Sequence, residues 1–530
     1  MGLSWVMLSL SFILLSIPAS AQVEILLDNT MTYQIMEGFG ATHQTLMLGN
    51  KDTLTPAQRL QAVDALFNQV RITTGQVPNL FEAPAHSSNP FRDQANDNKD
   101  PFDINWKGFH SAQYGDLFKQ KVMDLAPPEA LNGLYPATQI STRWGAKWLG
   151  KLGVSDYNRY LNECAEQVLA GIIYWKNKYG KEPRYAHLFN EPTSGNRELD
   201  PITDAQAVVD IIKGAGNRLR KAGFNRVKFV VPNEETEKRS LEVAAKILAD
   251  PEARQYVGVL GYHPYPYGSP YAYIPNLLKE SGTGHPNPEG IQLRRQLRNL
   301  AEPYKIPLWM TEVSHGYFME DHIPATAFDA LRGRAIHIHD ELVYAHAAGF
   351  FGMNSMWDST IDKLHFEGNR SKLHIWWNIL ATRRRFGSDP PQLLTRNIDT
   401  IVLIDTDHDK VYITGMGYAI GHYARWIRRG AIRIEGKSSD PLVQVTSFRD
   451  DNQGRIVLVL INNAPESKMV KINLRGIALT GSLVGEQSTV AAYWKPLEPF
   501  STTTPTAFNL TLPAESVTTV AGQIGGLSNN

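Results

Sequence analysis

Tyr185 to Pro192 reads YAHLFNEP, a short apolar run that stops at an amide, an acid and a proline ring. A buried parallel strand has this form: helices cover its length, and its polar side chains emerge at its carboxyl end. Ile306 to Glu312, IPLWMTE, repeats the pattern, again ending in a glutamate. The two acids stand far apart in the chain. Only a fold that returns strand after strand to one face brings them together, and an eight-stranded β/α barrel does so.

Two carboxyl groups facing each other across a sugar suffice to cleave a glycosidic bond. One protonates the leaving oxygen, and the other attacks the anomeric carbon or activates water. Glu191 and Glu312 are therefore the candidate catalytic pair. If shielded from water and near a second acid, Glu191 would have a raised pKa and serve as proton donor. Glu312, ionised and hydrogen-bonded, would be the nucleophile.

With 530 residues, 42% of them apolar, the chain is long enough for a barrel of roughly 250 to 400 residues and a second domain. Lys plus Arg equals Asp plus Glu at 53 each, so no overall field draws it to nucleic acid or an anionic membrane. A neutral carbohydrate is the expected partner, and a monomer the expected state. Residues 1–21 combine an apolar run, Trp5 to Ile17, with Ala19-Ser20-Ala21, the form of a cleaved secretion signal. The mature protein is then expected outside the cell or in the periplasm, with no membrane attachment. Cys164 is the only cysteine, which excludes an intramolecular disulfide.

Val23 to Leu27 and Thr32 to Met36 read as two strands about an Asp28-Asn29 turn, followed by EGFGATHQ at residues 37–44. Thr55-Pro56 opens a helix with Leu60, Val63, Leu66 and Phe67 on one face, and Gln69 to Thr73 is read as the second barrel strand. Residues 78–101 read as a long loop over the barrel mouth. Thr138 to Thr142 is the third strand, and Ser155 caps a helix with Leu161, Cys164, Val168 and Ile172 on its buried face. The fourth strand is YAHLF, the fifth Val227 to Val231, the sixth Val257 to His263, the seventh Ile306 to Glu312 and the eighth Phe350 to Trp357. Beyond about Asp440 the pattern changes to short alternating runs separated by Asn, Gly, Pro and Ser, an all-β domain. The expected architecture is a (β/α)8 TIM barrel over 37–430 and a β-sandwich over 431–530, with strands from 22–36 joining the sandwich.

Around the two acids, Asn190 is suited to hydrogen-bond a sugar hydroxyl next to the reacting carbon. His263 and Tyr265, in GYHPYPYG after strand six, are suited to orient Glu312, the phenol as donor. Trp357 is a candidate floor for a sugar ring, and Arg71 and Trp144 are further substrate-binding candidates. Glu234 and Glu235 end strand five and rank below the catalytic pair. His337 and His339, two apart on a helix, point in different directions and do not make a metal site. The chemistry calls for no cofactor and no metal.

Five motifs together resemble glycoside hydrolase family 30, within the clan of retaining β/α-barrel glycosidases. They are GFGATHQ at 38–44, FNEP at 189–192, LWMTEV at 308–313, GYAIGHYARWIRRGAIRIEG at 417–436 and LPAESVTTV at 512–520. The resemblance spans nearly the whole mature chain and implies Glu191 as acid/base, Glu312 as nucleophile and Asn190 on the sugar 2-hydroxyl. It also matches His263 and Tyr265 to the family's His-x-Tyr. LWMTEV and IHIHDELV are closest to the xylanase branch, whereas STRWGAKWLG after strand three and the excursion at 358–415 depart from it. The resemblance thus implies double displacement on a β-linked polysaccharide, first an endo-β-1,4-xylan. β-Glucanase, β-galactanase or exo-β-glycosidase action, or a non-catalytic carbohydrate-binding barrel, are the alternatives.

Overall fold

The computed structural model describes residues 22–42, 54–78, 100, 102–106, 124–137, 147–193, 204–265, 288–313, 327–352, 355–358, 400–405 and 409–525. The segment read as a secretion signal, most of the loop at 78–101, the proposed third strand at 138–142 and Trp144 lie outside them.

After an N-terminal strand β1 (Val23–Ile35), eight parallel strands close a barrel: β2 (Gly38–Thr42), β3 (Thr74–Pro78), β4 (Leu134–Ala137), β5 (Tyr185–His187), β6 (Lys228–Glu234), β7 (Val257–Tyr262), β8 (Leu308–Met310) and β9 (Ala347–Gly352). Closure comes from β9 pairing with β2, Phe350 opposite Phe39. Inward side chains fill the barrel, because successive residues of a strand face opposite sides. Tyr135, Tyr185, Val230, Val259, Trp309, Ala348 and Phe351 make one buried cluster. Trp309 is its hub, with ring centroids 5.6 Å from Tyr135, 5.0 Å from Tyr185 and 5.4 Å from Phe351. This aromatic plug makes the barrel solid, so polar groups that share its inward face gather at the mouth.

The outward faces of the strands pack on helices whose ends the sequence marks. Asp156 caps Tyr157–Tyr179 by accepting Arg159 N–H, and Gly180 closes that helix at φ 70°, a conformation glycine adopts without strain. Ser155 is not the cap. It ends the preceding helix, Lys147–Ser155, where its hydroxyl donates back to Lys151 and Leu152 carbonyls. Leu161 is half-buried, and Cys164, Val168 and Ile172 are fully buried, as the periodicity requires.

Three barrel strands sit elsewhere than the sequence reading placed them. The helix from Pro56 continues as a π-helical turn to Gln69, so the run 69–73 is helix end and connection, and β3 starts at Thr74. The wider turn also rotates the apolar stripe, leaving Leu60 60% exposed while Ala62, Ala65 and Leu66 are buried. The third barrel strand is Leu134–Ala137, ahead of the run read for it. The eighth is Ala347–Gly352, and Trp357 belongs instead to β10 (Met356–Asp358), which forms a small separate sheet with β11 (Val402–Asp405) and β12 (Lys410–Ile413).

The remaining strands, β13 (Ile432–Ser438), β14 (Val443–Asp450), β15 (Arg455–Asn462), β16 (Lys468–Arg475), β17 (Leu479–Thr489), β18 (Ala492–Pro496), β19 (Phe500–Ser501), β20 (Ala507–Leu512) and β21 (Ser516–Ile524), form a sandwich from one hydrogen-bonded ladder folded over itself. Its interior joins Val23, Ile25 and Leu27 to Ile456, Leu458, Leu460, Ile472 and Phe508. β1 is one strand rather than a hairpin. It pairs parallel with β16 and antiparallel with β13, and the Asp28–Thr32 stretch is a register shift, not a turn.

β15 shows how the two domains join. Its even-numbered residues Ile456, Leu458 and Leu460 enter the sandwich core, and its odd-numbered Val457, Val459 and Ile461 join the cluster containing the barrel helices. Burial on both faces explains the unbroken apolar run. Polar contacts complete the seam: His422 bonds Thr519 and Ser488, His339 bonds Thr446, and Trp494 lies against Gly421, where a Cβ would meet the indole at 2.0 Å.

Candidate active site

Main-chain hydrogen bonds continue past the regular strands and set the heights of the site residues. Glu191 N–H donates to Asn233 O at 2.8 Å, His263 N–H to Glu234 O at 3.0 Å, and Thr311 N–H to Tyr262 O at 3.0 Å. The ends of β5, β6, β7 and β8 are thereby tied in sequence around the mouth. Two-residue alternation puts Val259, Gly261 and His263 on one face of β7, from the plug to the site. Side-chain bonds brace the same level: Thr311 donates through its hydroxyl to Asn233 Oδ1 at 2.7 Å, and Asn233 donates to Val230 O at 2.9 Å. Gly261 leaves room for this crossing, since a Cβ there would lie 1.9 Å from Asn233 Oδ1.

The geometry brings Glu191 and Glu312 together. Fully buried His263 stands between them, its Nδ1 bonded to Glu191 Oε1 at 3.1 Å and 4.0 Å from Glu312 Oε1. One oxygen of each carboxylate and one His263 nitrogen all lie within 4.8 Å of one another. The side chain of Glu191 is 21% exposed and that of Glu312 8%, so the pair is shielded but reachable. Three such groups also form a conceivable donor set for an ion. Here the His263–Glu191 hydrogen bond already engages two of them with each other.

Burial alone would push His263 down, but the carboxylates of Glu312, Glu191 and Glu234 outweigh it and hold the imidazole above its ordinary value. The ring sits between the acids. His187, buried one strand away and bonded to Phe189 O, is pushed the opposite way, to about 3, by burial and by His263. It is neutral at every working pH.

Asn190 precedes the acid, and its Oδ1 is buried with no hydrogen-bond partner among the described residues. Tyr265 is buried with its ring edge-on to His263, centroids 6.2 Å apart at 87°. Arg71 is not at this site. It stands ahead of β3, at the amino end of the barrel, and donates to Arg425 O at the end of the helix Gly415–Ala424. The backbone of Trp357 pairs with Leu403 in the small sheet that follows β9. His337 and His339 point apart, one to Glu341 Oε1 at 2.9 Å and the other to Thr446 Oγ1 at 2.6 Å.

Glu234, which the sequence ranks below the catalytic pair, stands next to it. It is fully buried at the end of β6, and its carboxylate accepts the Thr193 N–H at 3.0 and 3.3 Å. Burial raises it to about 7, with the nearby Glu191 carboxylate adding to the rise. An apolar strand followed by an acid was its sequence signal too, the same as for Glu191 and Glu312.

Residues 430–520 match the family model described as the glycosyl hydrolase family 30 beta sandwich domain. The sandwich is similar to that of glycoside hydrolase family 30. The resemblance carried by the five motifs, with its lean toward the xylanase branch, is borne out. Glucuronoxylanase XynC of Bacillus subtilis is 22% identical over 95% of this chain and 92% of its own length. The catalytic domain of family 30 xylanase C from Talaromyces cellulolyticus superposes with a TM-score of 0.59 at 17% identity, covering 94% of this chain and all of that one. An endo-beta1,6-glucanase superposes equally well, with a TM-score of 0.59 at 18% identity over 94% of each chain. Family 30 likeness therefore extends over barrel and sandwich alike.

Proposed function

We propose that the protein is a secreted retaining β-glycoside hydrolase, with Glu312 as nucleophile and Glu191 as acid/base. The observation that carries this reading is the approach of the two carboxylates to within 4.8 Å, with His263 between them. Retaining glycosidases hold their carboxyl groups about 5–5.5 Å apart, and inverting ones about 6.5–9.5 Å, to admit a water. The close approach supports retention.

In the first step a Glu312 oxygen attacks the anomeric carbon as Glu191 gives its proton to the departing oxygen. In the second, Glu191 takes a proton from water, which attacks the same carbon and releases Glu312. The imidazolium of His263 faces both acids and steadies the negative charge that passes between them. The buried, unmatched Oδ1 of Asn190 is an acceptor for the sugar's 2-hydroxyl. The reaction uses no cofactor.

For the substrate, a β-1,4-xylan cut internally stands first, on LWMTEV and on the likeness to the Bacillus glucuronoxylanase. A β-glucan is the second reading, favoured by the equal superposition on the endo-beta1,6-glucanase. Purified protein and Glu312→Gln, incubated with xylans, β-glucans, β-galactans and aryl β-glycosides, test both. Release of product with retained anomeric configuration from one class, lost in the variant, is the expected result. Product of inverted configuration would overturn the mechanism, and retention on a polysaccharide column without turnover would make the barrel a binding protein.

A further inference from the structure

Resting on that reading, we propose that Glu234 is a positioning residue for Glu191: it holds the turn that carries the acid/base and so aims that group at the leaving oxygen. Glu191 has φ 52°, a left-handed conformation for a residue with a side chain. Such a backbone persists only where its surroundings over-determine it. Here β6 supplies them. Asn233 O accepts the Glu191 N–H, both Glu234 oxygens accept the Thr193 N–H, and Arg239, from the following helix, donates to Thr193 O at 2.8 Å. The peptide units on either side of Pro192 are thus clamped to one neighbouring strand and its helix. Glu234 is the one member of this clamp with a titrating charge next to Glu191.

The groups facing Glu234 are Glu191 from the turn after β5, His263 from β7, and Arg239 and Ser240 from the helix after β6. Glu312 lies beyond His263. Among the described residues no lysine or arginine nitrogen reaches the Glu234 carboxylate at salt-bridge distance, and its closest partner is Thr193, through main chain and side chain. That bond fixes the chain just after Glu191, and so the placing of the acid toward the leaving oxygen.

Glu234→Gln keeps an oxygen for Thr193 and removes the charge, whereas Glu234→Ala removes both. The measurement compares these variants, Glu191→Gln and wild type on the phenyl and 2,4-dinitrophenyl β-glycosides of the sugar the wild type cleaves, across pH 4 to 9. Dinitrophenolate leaves without protonation, so a defect transmitted through the acid is confined to the phenyl glycoside. The expected loss in kcat/KM there is on the order of 10- to 100-fold for both Glu234 variants, with little change on the dinitrophenyl compound. Equal losses on both glycosides, or a wild-type profile on the phenyl compound, would overturn the inference. Leaving-group dependence in Glu191→Gln but not in the Glu234 variants would leave the glycosidase reading standing and this one fallen. A wild type that cleaves neither glycoside nor any polysaccharide would remove both. If the alanine variant does not fold, the isosteric glutamine variant decides alone.

Discussion

Tyr262 ends β7 and His263 follows it, yet they face two buried acid clusters governed by opposite rules. Outside the barrel wall, Tyr262 donates to Glu341, which also accepts from Arg294 at 2.6 Å and His337 at 2.9 Å. Burial pushes Glu341 up, and Arg294 with His337 more than reverses it, to about 2. Inside the mouth, Glu234 is just as buried, has Thr193 and no arginine or lysine in salt-bridge contact among the described residues, and rises to about 7. Glu237 stands between these cases. Buried beside the same Arg294 at 3.1 Å, it still rises to about 7, because its burial outweighs the arginine and the Glu341 carboxylate adds to the rise. Burial sets the scale of such shifts, and the placing of one arginine sets their sign. A network meant to stay fixed is neutralised, and one meant to move protons is left short of counter-charge.

The sharpest way to break the comparison is to remove an acid from the catalytic side. Glu312→Gln is expected to lower kcat on the order of 10⁴-fold with the melting temperature unchanged, since a nucleophile contributes to the transition state and not to the fold. On the other side the expectation reverses. Arg294→Met strands Glu341 in the interior without its partner and should lower unfolding free energy by about 3–5 kcal/mol in urea titrations.

A third, smaller effect concerns pH. Glu234 binds its proton more tightly folded than unfolded, so it weakens the fold as pH rises from the unfolded value near 4.5 through about 7. Glu234→Gln should therefore gain about 1–3 kcal/mol on wild type at pH 8 and nothing at pH 4. A constant difference across that range would mean that the charge is not responsible. Glu341 behaves in the opposite sense: its stabilisation is present above its unfolded value and is lost as pH falls through about 2. Smallest is Thr311→Val, which removes the hydroxyl joined to Asn233. It should cost about 1 kcal/mol of stability and change activity less than tenfold, as read from parallel urea and rate measurements.

How much of this was legible in the sequence depended on whether a residue's role is set by its own strand or by another. Glu191, Glu312 and His263 each end an apolar run, and that local pattern alone places them at the barrel mouth. Glu234 ends such a run too, but its importance comes from Thr193 landing on it, and no local pattern encodes that contact. Arg71 was misplaced because Val70 and Ile72 look like strand. They are buried in the connection between a π-helical turn and β3. Trp357 was misplaced because the apolar pattern runs past Gly352 into a second, smaller sheet. Asp28-Asn29 has turn chemistry, yet pairing on both edges holds β1 extended through it.

That pairing has a consequence for how the molecule is made and inherited. β1 is the first described strand of the chain, and it lies between β13 and β16, which are synthesised after the whole barrel. During translation it has no partner until the whole barrel has followed it and β13 begins at Ile432, so the sandwich closes last, around a strand made before the barrel. A cut ahead of the barrel would open the ladder at its middle, and a cut behind the barrel would orphan β1. The two domains are thus sewn together by segments on either side of the barrel, and a lineage can exchange or discard the sandwich only by replacing the coding sequence on both flanks of the barrel at once.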